Sequence, residues 1–197
     1  MTYENVILGC WAAFLLVWAL AALGVKRDIR GGYASVWKSY WAMRMAVAVL
    51  LLGLAIRFGH LAGSARSTVS NRMLLFRPTP ALGWTGAVLT VIGIGFAVWA
   101  RVALGRNWSP RPAVKEHHEL VTSGPYEYVR HPIYSGIILS ALGTALTGTV
   151  FGAIVFVLAI TLFLARIRKE EQIMLELFPN EYPGYQARTK RLVPFIW

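Results

Sequence analysis

The sequence predicts an all-α integral membrane protein of about five transmembrane helices, the last two forming a helical hairpin. Three observations predict it. Hydrophobic residues make up 56 % of the 197 residues and charged residues only 15 %, where an ordinary soluble domain carries roughly 25 % charge. Mean hydropathy is +0.52. The apolar residues fall into long runs, and between two of these runs stands one polar stretch, Lys115 to Tyr134, which holds three of the four histidines.

The formal charge of +11 raises nucleic acid as a partner. With long apolar spans, basic loops facing anionic lipid are the commoner cause, so the reading has no nucleic-acid partner. The only cysteine, Cys10, lies in the first apolar run, which leaves neither a disulfide framework nor a Cys-based metal site and makes it a small packing residue. No Gly-x-Gly-x-x-Gly turn, P-loop or His-Glu-x-x-His is present, which argues against soluble dinucleotide, nucleotide and zincin sites.

Val6 to Val25 carries no charge and is long enough to cross a hydrocarbon core of about 30 Å at about 1.5 Å per residue. A cleaved signal peptide is the competing reading, but Glu4 and the absence of Lys or Arg before the run are wrong for one. The loop from Lys26 to Lys38 is basic and holds the Gly31-Gly32 turn, while Tyr33, Trp37, Tyr40 and Trp41 suit an interfacial belt. A second span, Trp41 to Ile56, contains Arg44 near its start, where the side chain can snorkel to the interface.

Arg57 to Pro80 is a polar connection, and Ala81 to Leu104 is the third span. Its Gly83, Gly86, Gly93 and Gly95 would let neighbouring helix backbones approach closely. Ile137 to Ala165 is too long for one untilted helix and too short for two complete spans. Gly143, Thr144, Thr147, Gly148 and Thr149 near its middle favour a tight hairpin over one tilted helix.

The basic residues set a topology. With five crossings and the amino terminus outside, the outer segments hold only Arg57, Arg66, Arg72 and Arg77. The remaining Lys and Arg, apart from the intramembrane Arg44, fall inside. The bias predicts the amino terminus out and the carboxyl terminus in, with both polar clusters on the cytoplasmic face. The second cluster is Arg166-Ile167-Arg168-Lys169-Glu170-Glu171, and the two are expected to close over one cofactor.

Read on composition, Arg130-His131-Pro132 is a juxtamembrane basic step entering a helix, with Pro132 in its first turn. His117 and His118 are adjacent but lack a partner at metal-site spacing, so no metal is expected.

Two longer motifs carry a resemblance. Gly105-Arg106-Asn107-Trp108-Ser109-Pro110 is followed by His118-x-Leu120-Val121-Thr122-x-Gly124-Pro125-Tyr126-x-x-Val129-Arg130-His131-Pro132-x-Tyr134-x-Gly136. The tail then reads Arg166-x-x-x-Glu170-Glu171, Leu175, Phe178, Glu181-Tyr182, Tyr185, Arg188 and Leu192-x-Pro194. Over Leu104 to Pro194 the chain resembles the isoprenylcysteine carboxyl methyltransferase family and its phospholipid methyltransferase relatives.

The resemblance implies a membrane-embedded methyltransferase that uses S-adenosylmethionine without a Rossmann domain and takes a lipophilic acceptor from the bilayer. It divides the chain into residues 1–104, three transmembrane helices with their loops, and 105–197, a methyltransferase core. That core carries the hairpin and a C-terminal cytoplasmic helix, which with segment 105–134 forms the cofactor pocket. Carried over residue by residue, His118, Glu119, Leu120 and Val121 line the cofactor. Tyr126 packs near the adenosyl part, and His131, Pro132, Ile133 and Tyr134 form another wall. Lys115 and Arg111, where the match is looser, supply polar contacts. Glu171 accepts the cofactor's ammonium group, and Arg166 binds the acceptor carboxylate, to which a guanidinium is matched bidentately. Helical spacing instead favours Glu170 as the partner of Arg166, with Glu171 turned away from it by about 140°.

The expected function is therefore methylation of the carboxylate of a prenylcysteine-like or other lipophilic molecule. A phospholipid or lipid amine N-methyltransferase is the alternative, and an NADPH-dependent membrane reductase stands further off. Arg166 favours the first, because an amine gives a guanidinium no carboxylate to hold; a reductase would need more spans. Two departures stand in the tail: Pro179-Asn180 replaces a Gly-containing turn, and Pro183-Gly184 interrupts the stretch before Tyr185. These bear on acceptor recognition, and the helix is expected to end early.

Overall fold

The computed structural model describes residues 2–22, 74–105 and 120–194. The expected second span, the loop before it, residues 57–73 of the loop after it, and the segment 106–119 with Arg111, Lys115, His118 and Glu119 lie outside the described residues. The described chain is helical: α1 (Tyr3–Ala22), α2 (Pro80–Leu104), a 3-10 turn (Gly124–Glu127), α3 (Pro132–Ala145), α4 (Val150–Leu177) and α5 (Tyr182–Arg188). Among the described residues α1, α2 and α4 are long and apolar enough to cross a membrane, whereas α3 is apolar but shorter.

Local chemistry sets the helix ends. Thr79 caps α2, its hydroxyl accepting from the Leu82 amide at 3.2 Å, and Pro80 follows where a missing N–H costs nothing. Thr149 caps α4 in the same way, accepting from the Gly152 amide at 3.1 Å. Pro132 opens α3. The apolar run from Ile137 to Ala165 is thus divided at residues 146–149 between two helices. They pack antiparallel: the Tyr134 ring near the start of α3 stacks on Phe163 of α4 at 4.4 Å, and Gly152 lies against the Thr144 backbone.

Glycines bring α2 and α3 into backbone contact. A Cβ on Gly86 would lie 2.5 Å from the Gly143 carbonyl oxygen, and one on Gly93 would lie 2.5 Å from that of Gly136. Between these two crossings Thr90 and Ser140, both fully buried, hydrogen-bond to each other's carbonyls at 3.3 Å. Gly83 serves a different neighbour, the Tyr3 ring of α1, and among the described residues Gly95 has nothing within 4 Å. The glycines of α2 therefore receive two helices, as small residues do in lipid, where apolar side chains gain little by leaving hydrocarbon.

Helix α1 runs parallel to α2, with Ile7, Trp11 and Phe14 packed on Ala87, Ile94 and Ala97. The Trp11 indole donates to the Thr144 hydroxyl at 3.0 Å, which ties α1 to α3. Arg101 joins the C-terminal ends of α1 and α2, donating to the carbonyls of Ala21 at 2.9 Å and Gly105 at 2.8 Å. At this same end lie the start of α3 and the charged end of α4.

Candidate functional site

The chain between α2 and α3 makes a compact hinge. Gly124 turns with φ 63°, and Pro125, Tyr126 and Val129 are buried. Tyr126 packs with Ala100 and Ile133, and Val121 and Tyr134 lie against this cluster. Leu120, the residue before Val121, is half-buried.

Helix α4 continues past its apolar part and carries Arg166, Glu170 and Glu171 to this hinge. Arg166 donates from Nε to Glu170 Oε1 at 2.6 Å, an i,i+4 pair, and the Tyr134 hydroxyl donates to the same oxygen at 2.7 Å. The Tyr134 ring is held between His131, stacked at 5.6 Å with 2° between planes, and Phe163. The Arg166 guanidinium carbon stands 5.9 Å from its centroid.

Glu171 points elsewhere. It is 4 % exposed, with Arg130 Nε on Oε1 at 2.9 Å and Arg191 Nε and Nη2 on Oε2 at 3.0 and 2.8 Å. His131 stands between the two carboxylates, Nδ1 3.7 Å from Glu170 Oε2 and Nε2 3.6 Å from Glu171 Oε1. Both separations exceed hydrogen-bond length, and among the described residues Nε2 is buried without a hydrogen-bond partner.

The tail completes the cluster. After α4 ends, α5 opens with Pro183 in its first turn, so the proline and glycine expected to interrupt the tail start a new short helix. Residues after α5 lie alongside the hinge. The amides of Arg130 and His131 donate to the Lys190 and Arg191 carbonyls at 2.7 and 3.0 Å, and the Ser135 hydroxyl donates to the Leu192 carbonyl at 2.6 Å. Arg130 Nη1 also donates to the carbonyls of Gln186, at 3.1 Å, and Thr189. Tyr185 donates to the Tyr126 carbonyl at 2.7 Å. Burial pushes the phenols of Tyr126 and Tyr182 well up and that of Tyr185 up to about 12, so all three stay neutral and act as donors or apolar walls, not as bases.

Of the residues expected from sequence, the structure brings together Tyr126, His131, Pro132, Ile133, Tyr134, Arg166 and Glu171, with Val121 at the rim and Leu120 preceding it. Sequence reasoning missed Arg130 and Arg191. The available signal was a charge argument: two carboxylates at the end of an apolar helix need cations, and Arg166 satisfies only the one on its own face. Glu171, expected to receive the cofactor's ammonium, is instead held by three arginine nitrogens, and Glu170 is the more open carboxylate, its side chain 20 % exposed against 6 %.

Comparisons with known proteins show what this chain is similar to. Residues 86–176, which run from α2 through the hinge to the charged end of α4, match the model of the isoprenylcysteine carboxyl methyltransferase (ICMT) family. Protein-S-isoprenylcysteine O-methyltransferase B of Arabidopsis thaliana is 32 % identical over 115 residues, 56 % of this chain and 58 % of that protein. A solved structure of the eukaryotic intramembrane Ras methyltransferase ICMT superposes with a TM-score of 0.52 at 28 % identity, over 59 % of this chain and 46 % of that one. The chain thus spans about half the length of two of these relatives. The match to protein-S-isoprenylcysteine O-methyltransferase of Schizosaccharomyces pombe is more extensive, 30 % identity over 204 residues, covering 96 % of this chain and 84 % of the relative. With a similarity that runs through nearly the whole chain and a site built from the motifs that carry it, this protein belongs to the isoprenylcysteine carboxyl methyltransferase family.

Proposed function

We propose that the chain is a membrane-embedded, S-adenosylmethionine-dependent methyltransferase that methylates the carboxylate of a prenylcysteine-like or other lipophilic acceptor at the cytoplasmic surface. The observation that carries this reading is the convergence of the two polar clusters. His131 and Tyr134 from the hinge meet Arg166, Glu170 and Glu171 from α4 at the end of an otherwise apolar bundle.

The residues present fit such a donor. A carboxylate that keeps some exposure, Glu170, suits an ammonium group, and a buried imidazole nitrogen without a partner among the described residues, Nε2 of His131, has room for a polar neighbour. Tyr126, Ile133 and Val121 offer an apolar bed for an adenosyl group. Glu170 is accordingly the ammonium acceptor in this reading, and Glu171 contributes by fixing the hinge. His118 and Glu119 line the cofactor through backbone and apolar contacts, and Lys115 adds a polar one.

When bound, the donor supplies an electrophilic methyl group on a sulfonium sulfur. The acceptor carboxylate is already a competent nucleophile, so the chain's residues need only align the two and exclude water. Arg166 holds and orients that carboxylate; its guanidinium lies at the level where the apolar part of α4 ends. No base is needed, which agrees with a site whose three buried phenols stay protonated.

The topology supports the same picture. The parallel course of α1 and α2 is what first and third crossings from one side require, and it puts Arg101, the hinge and the end of α4 at one end of the bundle. With the amino terminus outside, that end is cytoplasmic. The test is to titrate the detergent-purified protein with S-adenosylmethionine, S-adenosylhomocysteine and NADPH. Saturable binding of the two adenosyl ligands, and none of NADPH, is the expected result; absence of adenosyl binding removes the methyltransferase reading.

A further inference from the structure

We infer that Arg130, Glu171 and Arg191 form a positioning latch that fastens the tail, residues 182–192, as one wall of the cofactor site. The inference rests on the methyltransferase reading and deepens it. An ion triad whose Arg130 and Glu171 are both buried adds little stability by itself, since desolvating those charges offsets most of their attraction. What the triad does fix is a distance. Arg130 grips Glu171 of α4 with Nε and the tail carbonyls of Gln186 and Thr189 with Nη1, while its amide donates to Lys190. Arg191 returns from the tail to the other Glu171 oxygen.

The next residue after Arg130 is His131, whose own amide is bonded to Arg191 and whose ring stacks on Tyr134. The separation between hinge and α4 across which Tyr134 reaches Glu170 is therefore set by the Glu171 lock one residue further along the helix. Loosening the lock displaces His131, Tyr134 and Glu170 together, and a displacement of about 1 Å at aligned groups costs up to about a hundredfold in rate. Arg130, Glu171 and Arg191 act through these neighbours and are positioning residues.

The test uses the full chain in detergent, with S-adenosylhomocysteine calorimetry and methyl transfer to an S-prenylated cysteine bearing a free carboxylate. Arg191 is chosen because its side chain is 39 % exposed, so the variant should still fold. Arg191→Gln is expected to keep the wild-type helical circular dichroism and elution volume while weakening S-adenosylhomocysteine by on the order of tenfold and raising KM for the methyl donor. Arg191→Lys, which keeps the charge and loses the fork, should recover part of that loss. Ser135→Ala removes the bond to the Leu192 carbonyl without touching a charge, and a smaller rise in the same KM is expected. If Arg191→Gln and Ser135→Ala lower the melting temperature but bind S-adenosylhomocysteine and turn over like the wild type, the latch is merely structural and the inference is overturned. A wild-type protein that binds no S-adenosylhomocysteine fails one step earlier and overturns the methyltransferase reading and the latch together.

Discussion

Replacing Gly93 by alanine tests whether backbone contact between α2 and α3 holds the bundle. The added Cβ would lie 2.5 Å from the Gly136 carbonyl oxygen and 2.7 Å from the Ser140 amide nitrogen. Contacts of this kind settle at about 3.5 Å, so the two helices must part by roughly 1 Å. Overpacking of this size costs about 1–3 kcal/mol. Parting also stretches the paired Thr90 and Ser140 bonds, now 3.3 Å, which contribute about 0.6 kcal/mol each between membrane helices. Gly95→Ala on the same helix is the control: among the described residues nothing stands within 4 Å of its Cβ, and both substitutions share the same gain in helix propensity. The difference between the variants should be about 2–4 kcal/mol, Gly95→Ala being the more stable. Unfolding in mixed micelles by titration with dodecyl sulfate, followed by circular dichroism, measures it. Variants that agree to within about 0.5 kcal/mol would show that the helices yield without loss and that the close approach is incidental.

Three further outcomes are expected. Tyr134→Phe removes the hydroxyl from Glu170 and keeps the stack on Phe163, so it should weaken S-adenosylhomocysteine by roughly tenfold in calorimetry with little change in melting temperature. Glu170→Gln should likewise lower cofactor affinity in a well-folded protein, whereas Glu171→Gln should destabilise the fold by about 3 kcal/mol because Arg130 and Arg191 lose their shared anion; equal melting curves for the two would contradict the division of roles. Arg166→Ala should lower kcat more than it weakens S-adenosylhomocysteine, and the reverse pattern in binding and methyl-transfer assays would move Arg166 from the acceptor to the cofactor.

The spans were legible because bilayer thickness fixes their length. The expected Val6 to Val25 overlaps α1, Tyr3–Ala22, over all of its described residues, and the expected Ala81 to Leu104 corresponds to Pro80–Leu104 within one residue. Hydropathy was less informative where a helix leaves the apolar phase. The start of α3 was legible all the same, since the Arg130-His131-Pro132 step predicts a helix with Pro132 in its first turn and α3 begins there, whereas the run from Ile137 to Ala165 gave no sign that α4 continues past its apolar part to Leu177. The Arg166–Glu170 pair was legible from its four-residue spacing. The bonds from Arg130 and Arg191 to Glu171 were not, since they join residues 41 and 20 positions apart through the folding back of the tail, and no local period encodes that.

Two adjacent glutamates carry different tasks here, and helix geometry is the reason. Successive residues on a helix are turned by about 100° from one another. Glu170 therefore shares a face with Arg166 and meets Tyr134, while Glu171 faces the hinge and tail and meets Arg130 and Arg191. One residue pair thus supplies both an anion kept partly open and an anion closed by arginines, within a single turn of α4. His131 lies within 3.7 Å of both carboxylates, so a change at either one is felt at the same imidazole. On the proposed reading, binding at Glu170 and closure at Glu171 are coupled through His131, and substitutions at the two positions should not combine additively in cofactor affinity even though they touch different arginines.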